Sequence, residues 1–374
     1  MHKMAHSENS SQAENPEERP SFQQPAALYP KRVTMGPGMG YALSAQLKLA
    51  GNKFPENGKQ PHRPQDKTLG KRLPAGNPSE KDYQTVTADS FDNFEYEPAT
   101  QFIPEAKKNH YWAVATGLQA VDGLETSGYL RENARAYISG EKTLAETGSL
   151  IREYHRQNND AEHAEADLVS QRIAELLEKG AFFLAPEMLV RIHEYLFQDL
   201  DPAVYRPGRF KHERMIKREE ILNGDSVLYA DPLAYEMSLK GAFSAEAAKS
   251  YGTFNTDELK GFCRTIAFLW QIHPFYEGNT RTIAVFSELY LNQLGFDLSN
   301  EPFETHARYY REALVRAMYR NASAKIFPDD RFLIRFYENA LGFESNELSR
   351  NELFCPRLFE DPSLIRNAKP LESR

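Results

Sequence analysis

The sequence predicts a mainly α-helical fold carrying one short β-hairpin. Three observations predict it. From about residue 163, apolar residues recur at helical spacing in block after block. Gly and Pro punctuate those blocks at their ends. One β-prone run, "ILNGDSVLYA" (221–230), is divided by an Asn-Gly-Asp turn.

The elements follow in chain order. Residues 1–108 are rich in Pro, Gly, Ser, Asn, Gln and charge and show little periodicity, so ordering them would bury too little to offset the entropy lost; this region is expected to be largely disordered. Its "GPGMG" (36–40) lacks the strand-to-helix setting of a nucleotide loop and reads as linker. Residues 109–160 break into short helix-compatible pieces, with Thr143 as the expected N-cap of one because Glu146 completes a capping box; they form a small helical module. His155 and His163 lie eight apart without a matching ligand set, which does not make a metal site.

Residues 161–345 form the main helical domain. "EADLVSQRIAELLEKG" is closed by Gly180, and the next helix has Pro186 in its first turn. Further helices are expected at about 232–248, at 257–272 behind a Thr256 cap, at 280–294 before Gly295, at 306–320 and at 330–341. The helix at 257–272 carries Leu259, Phe262, Cys263, Ile266, Ala267, Leu269 and Trp270 on one wide apolar face and is therefore central. Residues 346–374 read as a loosely attached C-terminal tail.

Composition excludes several classes. The chain has 374 residues, 41% hydrophobic and 12% aromatic, enough for one substantial core. A net charge of -8 argues against a nucleic-acid backbone as main partner, so no DNA binding is expected. Two cysteines, Cys263 and Cys355, supply neither a disulfide framework nor a cysteine metal site and fit a reducing cytoplasm. No apolar run reaches membrane-spanning length and the N-terminus lacks a signal-peptide core, so no membrane association is expected; delivery to another cell by a signal-peptide-independent route stays open, as does homo-oligomerisation.

The chemistry concentrates in "IHPFYEGNTRTIAVF" (272–286). Pro274 disfavours helix at the residue before it, so the preceding helix should stop at His273 and leave the imidazole at its end. A new helix begins near Thr280, and its unpaired N–H groups, with Gly278 permitting close approach, form a candidate phosphate cradle. Arg281 adds a fork of donors, and Glu277 can hold a hard cation such as Mg2+ bridging phosphate oxygens. A neutral imidazole beside such a cradle suits a general base for a hydroxyl, so the residues together spell phosphoryl-type transfer.

"HPFYEGNTR", from His273 to Arg281, resembles the signature of the Fic (Fido) family, His-Pro-Phe-x-(Asp or Glu)-Gly-Asn-Gly-Arg-x-x-Arg, at seven constrained positions. The resemblance extends over about 165–340. It implies a Fic helical bundle with a hairpin flap, and an enzyme, a protein adenylyltransferase, that moves AMP from ATP to a Ser, Thr or Tyr hydroxyl of a target protein and releases pyrophosphate. By motif position, His273 would be the base, Glu277 the Mg2+ ligand, Asn279 the holder of the α-phosphate and Arg281 a contact to the β-phosphate. Gly278 and Thr280 complete the nucleotide cradle, and the flap residues Ser226, Val227, Leu228 and Tyr229 would dock an extended target segment by strand addition.

The chain departs from the pattern at Thr280, where the family has its second Gly, and at Ala284, where it has its final Arg. Thr adds a side chain beside the phosphates, and the missing Arg removes a γ-phosphate contact. The 109–160 module resembles the antitoxin-like helices that restrain Fic enzymes, most closely around "LQAVDGLETSGYL", where Leu118 stands for the motif's hydroxyl residue, Asp122 for its Glu, and Gly123 is retained. Three functions therefore stand side by side: adenylyl transfer, phosphoryl transfer on the same fold, and a catalytically silent scaffold that binds a partner through its flap.

Overall fold

The computed structural model describes residues 102–158, 160–252 and 254–366. The expected disordered region and the "GPGMG" linker lie outside them, except that 102–108 are described and already enter the first helix. Among the described residues there are twelve α-helices and no strand.

The N-terminal helices are α1 (Glu105–Gly117), α2 (Gly128–Ile138) and α3 (Leu144–Gln157). A 3-10 turn, Leu118–Asp122, follows α1 and ends at Gly123 in the left-handed region. The expected capping box is present: Thr143 accepts from the Glu146 N–H while the Glu146 carboxylate accepts from Thr143 N–H. Next come α4 (Ala164–Lys179), closed by Gly180 at positive φ, and α5 (Pro186–Phe197), with its proline in the first turn. The remaining helices are α6 (Tyr235–Ala247), α7 (Thr256–Ile272), α8 (Asn279–Gln293), α9 (Glu301–Thr305), α10 (Ala307–Met318), α11 (Arg331–Ala340) and α12 (Pro356–Glu360). The cap of α7 is Asn255, one residue before the expected Thr256. Its side chain accepts from both Asp257 and Glu258 N–H, and Glu258 closes the reciprocal bond.

Centrality belongs to α8 more than to α7. Every residue of α8 from Asn279 to Leu291 is buried, whereas α7 buries one broad face. A helix covered on all sides must also satisfy its polar residues from within the fold. Glu288 meets His110 of α1 at 2.6 Å, and Ser287 Oγ donates to the Ala284 carbonyl. Helix α1 lies along α4, and α5 and α7 flank α8, so the beginning of α8 is held between early and late parts of the chain.

The hairpin expected at 221–230 is absent. In its place a 3-10 turn, Glu220–Leu222, leads into Asn223 and Gly224 at positive φ, and the loop is closed by Glu219 N–H to the Asp225 carbonyl at 3.0 Å. The reason is competition for backbone partners. The Ile221 carbonyl accepts from Cys355 N–H at 2.9 Å, and the Leu228 carbonyl accepts from the Gln271 amide at 2.9 Å, so one arm pairs with the C-terminal segment and the other with the end of α7 instead of with each other. Burial of Ile221, Leu222 and Val227 fixes that choice.

The expected loose tail is also packed over its described part. Leu348, Leu353, Cys355 and Leu358 are buried, Cys355 N–H donates to the Ile221 carbonyl at 2.9 Å, and the Asn223 amide donates to the Leu358 carbonyl at 2.9 Å. Its apolar residues were too sparse to show periodicity, yet all four are buried, and Cys355 and Leu358 are tied to the 219–225 loop.

One buried carboxylate fastens α2 and α3 to α4. Asp167 accepts from Ser127 N–H at 2.9 Å, from Ser127 Oγ at 2.5 Å and from His155 Nε2 at 2.8 Å, and its side chain is fully buried. Replacing it leaves three donors without an acceptor. Asp167→Ala is expected to cost about 3–5 kcal/mol, read as a lowered urea midpoint, whereas the same change at the exposed Glu132 should stay within about 0.5 kcal/mol.

Candidate active site

The site is built on the reversal between α7 and α8. His273 closes α7 at φ 52, a left-handed conformation uncommon for a residue with a side chain. Pro274 accounts for the stop, as expected from its ring. The imidazole is only 8% exposed, stacked at 4.1 Å on the Tyr229 ring and met edge-on by Trp270 at 5.6 Å. Burial holds its pKa well below the ordinary value, and the charges of Lys211, Lys217 and Arg311 push the same way, against the Trp270 carbonyl. The ring is therefore neutral at physiological pH, as a base requires.

Backbone carbonyls and amides hold the loop itself. Asn279 braces it reciprocally: its Oδ1 accepts from Phe275 N–H and its Nδ2 donates to the Phe275 carbonyl, both at 3.0 Å. Gly278 has φ 120, and a Cβ there would lie 1.9 Å from Phe197 Cζ, so both conformation and packing demand glycine. From α5, His193 supplies a third tie. It accepts Gly208 N–H on Nδ1 at 2.9 Å, which leaves the proton on Nε2 to be donated to the Glu277 carbonyl at 3.0 Å, and its ring stacks on Phe275 at 3.8 Å. Nothing in the sequence marked His193, because its partners lie 15 and 84 residues away.

Beyond Gly278 the first turn of α8 has no side-chain cap and no acidic residue, so its N–H groups face outward as unpaired donors. They open on a cavity of about 370 Å³ lined by His273, Glu277, Gly278, Asn279 and Thr280, by Tyr229, by the loop 215–218 and by Asp122. Glu277 is exposed toward it. The expected base, cation ligand and cradle are thus brought around one space. Ile216 and Leu228, both about 60% exposed, lie on the loop and the flap segment beside it. Of the flap residues, Ser226 and Val227 are buried, Tyr229 is half-buried and only Leu228 is exposed.

Two motif side chains are engaged elsewhere. Thr280 Oγ1 accepts from the buried Trp270 indole N–H at 3.1 Å, so the hydroxyl that replaces glycine is turned into a helix-to-helix bond. Arg281, 1% exposed, donates to Gln119 at 3.0 Å and to Glu165 at 2.6 Å, and its Nε lies 3.1 Å from Asp122 Oδ2. Burial opposes the charge of Asp122, but Arg281, Lys217 and Arg311 outweigh it and hold the carboxyl below its ordinary value. Asp122, singled out by its place in a degenerate motif, thus meets the Arg that the chain has; Gly123 provides the left-handed turn that ends its segment. At position 284 the alanine is buried, with no space for a longer group to lie unmoved.

No group of three or more His, Cys, Asp or Glu among the described residues is arranged to hold a metal ion. The single exposed carboxylate at Glu277 is of the hard-oxygen type that suits Mg2+, and Glu277 is the residue that would hold such a cation here. Among the described residues, no helix is long and apolar enough to cross a membrane.

His193 gives the site a pH dependence. Burial lowers its pKa to about 4, with the Glu277 carbonyl acting against that and Arg281 with it. The unfolded chain takes up this proton near the ordinary 6.5 and the folded protein near 4, so the contribution is intact above 6.5 and falls away as pH drops toward 4. Comparing urea unfolding of wild type and His193→Asn at pH 7 and pH 4.5 should show wild type losing more stability across that interval, by roughly 2–3 kcal/mol.

Comparison with known proteins adds one match: residues 183–291 fit the family model of the Fic/DOC family. No curated protein and no solved structure matches the chain.

Proposed function

From the premise that residues 183–291 constitute a Fic domain, we propose that this protein transfers AMP from ATP to a hydroxyl of a target protein. The observation that carries the reading is the shared cavity: a neutral imidazole, an uncapped helix N-terminus and a carboxylate face one space. The target hydroxyl attacks the α-phosphorus and His273 takes its proton. The bond to the β-phosphate oxygen breaks, and pyrophosphate leaves with the negative charge. The amide groups at the start of α8 hold the charge developing on the α-phosphate, with Gly278 allowing close approach. Magnesium, when bound, neutralises phosphate charge, and Glu277 is the residue to hold it. The target segment docks along the loop 215–218 and the flap residues 226–229, with Ile216 and Leu228 offering apolar contact and Lys217 a charge.

Asp122 acts as a restraint in this scheme. While it and Glu165 neutralise Arg281, that guanidinium is withheld from a phosphate, and the Lys217 ammonium lies 3.6 Å from Asp122 across the same cavity. The N-terminal helices thereby hold the site in a low-activity form.

A phosphoryl-transfer reading keeps its place because of Thr280. Its side chain lines the cradle, and Arg281 is engaged, so a nucleotide has fewer contacts to fix its orientation than the family pattern offers.

Two experiments test the proposal. With ATP labelled at the α or the γ position, α-label on protein supports adenylylation, γ-label supports phosphorylation, and neither supports a silent scaffold; His273→Ala should lower transfer at least about 100-fold with an unchanged circular dichroism spectrum. Asp122→Asn should raise transfer roughly tenfold while lowering the melting temperature, because it frees Arg281 at the expense of a buried ion pair. A fall in both would remove Asp122 as a restraint.

A further inference from the structure

Lys211 is a buried ammonium that the scheme above leaves unused. Its residue is 1% exposed, and its Nζ has no hydrogen-bond partner among the described residues. Leaving a charge so placed costs several kcal/mol, and methionine would fill the space without that cost. Its surroundings indicate what the charge does. The backbone N–H of Lys211 donates to the carbonyl of Pro274, the residue after the base. Its Nζ stands 5.5 Å from the centroid of the Tyr229 ring and 6.0 Å from that of Tyr235. Tyr229 is the ring that stacks on His273 at 4.1 Å.

The charged and titratable groups around the imidazole come from several elements. The loop 211–219 contributes Lys211, Lys217, Arg218 and Glu219, the last buried near Tyr229, and Tyr229 and Tyr276 line the same cavity. Helix α10 contributes Arg311, the catalytic loop Glu277, the early 3-10 turn Asp122, and α7 the Trp270 carbonyl. Arg311 is paired with Glu219 at 2.8 Å, and Lys217 with Asp122 at 3.6 Å. Among Lys211, Lys217 and Arg311, Lys211 is the one without a carboxylate ion pair among the described residues, so of these charges its own reaches the ring least cancelled.

We propose that Lys211 is a positioning residue for the base: its unpaired ammonium, set on the Tyr229 ring, holds that ring against His273 and keeps the imidazole a proton acceptor. The inference rests on the reading of His273 as base. The geometry supplies both parts, a ring clamped at a strained left-handed backbone position and a like charge that disfavours its protonation. Burial lowers the ammonium's own pKa to about 8, with Glu277 acting against that, so Lys211 is charged through the neutral range and its effect fades above it.

The test uses the full chain with ring-nitrogen-labelled histidine. In Lys211→Met the protonation midpoint of His273, identified by its loss in His273→Ala, is expected to rise by about one unit. The acid limb of transfer should move to higher pH by the same amount, and the KM for ATP should stay within about twofold. Lys211→Arg should return both profiles toward wild type. Tyr229→Leu, which keeps the ammonium and removes the stack, should broaden the His273 resonances and lower kcat. An unchanged His273 midpoint in Lys211→Met, or a rate loss equal at every pH and not rescued by arginine, overturns the proposal. If His273→Ala still transfers label, the base reading fails instead, while the midpoint shift still reports whether Lys211 acts on the ring. Should Lys211→Met not fold, Lys211→Gln is read by the same two profiles.

Discussion

A cation with no route to water organises this fold. Arg281 lies in the first turn of the most buried helix among the described residues, and a guanidinium there must be neutralised and hydrogen-bonded by its neighbours. Its partners come from the turn after α1 (Gln119, Asp122) and from the first turn of α4 (Glu165). Satisfying one side chain therefore draws the early helices against the α7–α8 reversal. His110 does the same farther along α8, where it meets the buried Glu288. The N-terminal helices are held by polar pairs as well as by apolar contact, and those pairs are directional, so they set where the early turn lies relative to the cavity.

The loop between α7 and α8 obtains rigidity without regular structure. Its backbone takes two left-handed positions, at His273 and Gly278, which only surrounding contacts can enforce. Asn279 ties the loop to itself, His193 ties it to α5, and Lys211 ties it to the segment before the flap. Each tie uses a backbone amide or carbonyl that neither helix can satisfy. What the ties leave unsatisfied is the first turn of α8, which has no side-chain cap and borders the cavity.

Structural satisfaction and chemistry compete for the same side chains. Asn279 spends both ends of its amide on the loop, Thr280 gives its hydroxyl to Trp270, and Arg281 is surrounded by acceptors. In this condition the cavity is bordered by backbone donors and an imidazole, with the stronger side-chain donors engaged. Thr280 is tolerated where glycine is usual because Trp270 stands opposite, on the adjoining helix, with an indole N–H to offer. A tryptophan lacking that acceptor would bury an unpaired donor.

The helices and the loop motif were legible in the sequence because both are local. Spacing of apolar residues, Gly180 and Gly295 at helix ends, the Thr143–Glu146 box and the His-Pro stop each act within a few residues, and each is where the pattern put it. The three-dimensional structure alone decided which surfaces those elements offer one another. The run at 221–230 has the composition of a hairpin, but Cys355 and Gln271 bind its two arms separately. Arg281 reads as a phosphate donor until its acceptor 162 residues earlier is seen, and nothing in the sequence marks Lys211, whose burial only the fold reveals. The physical reason is common to all of these. Propensity and periodicity record the preference of a residue for its immediate neighbours, whereas desolvation and ion pairing depend on groups that the chain brings together only when it has folded.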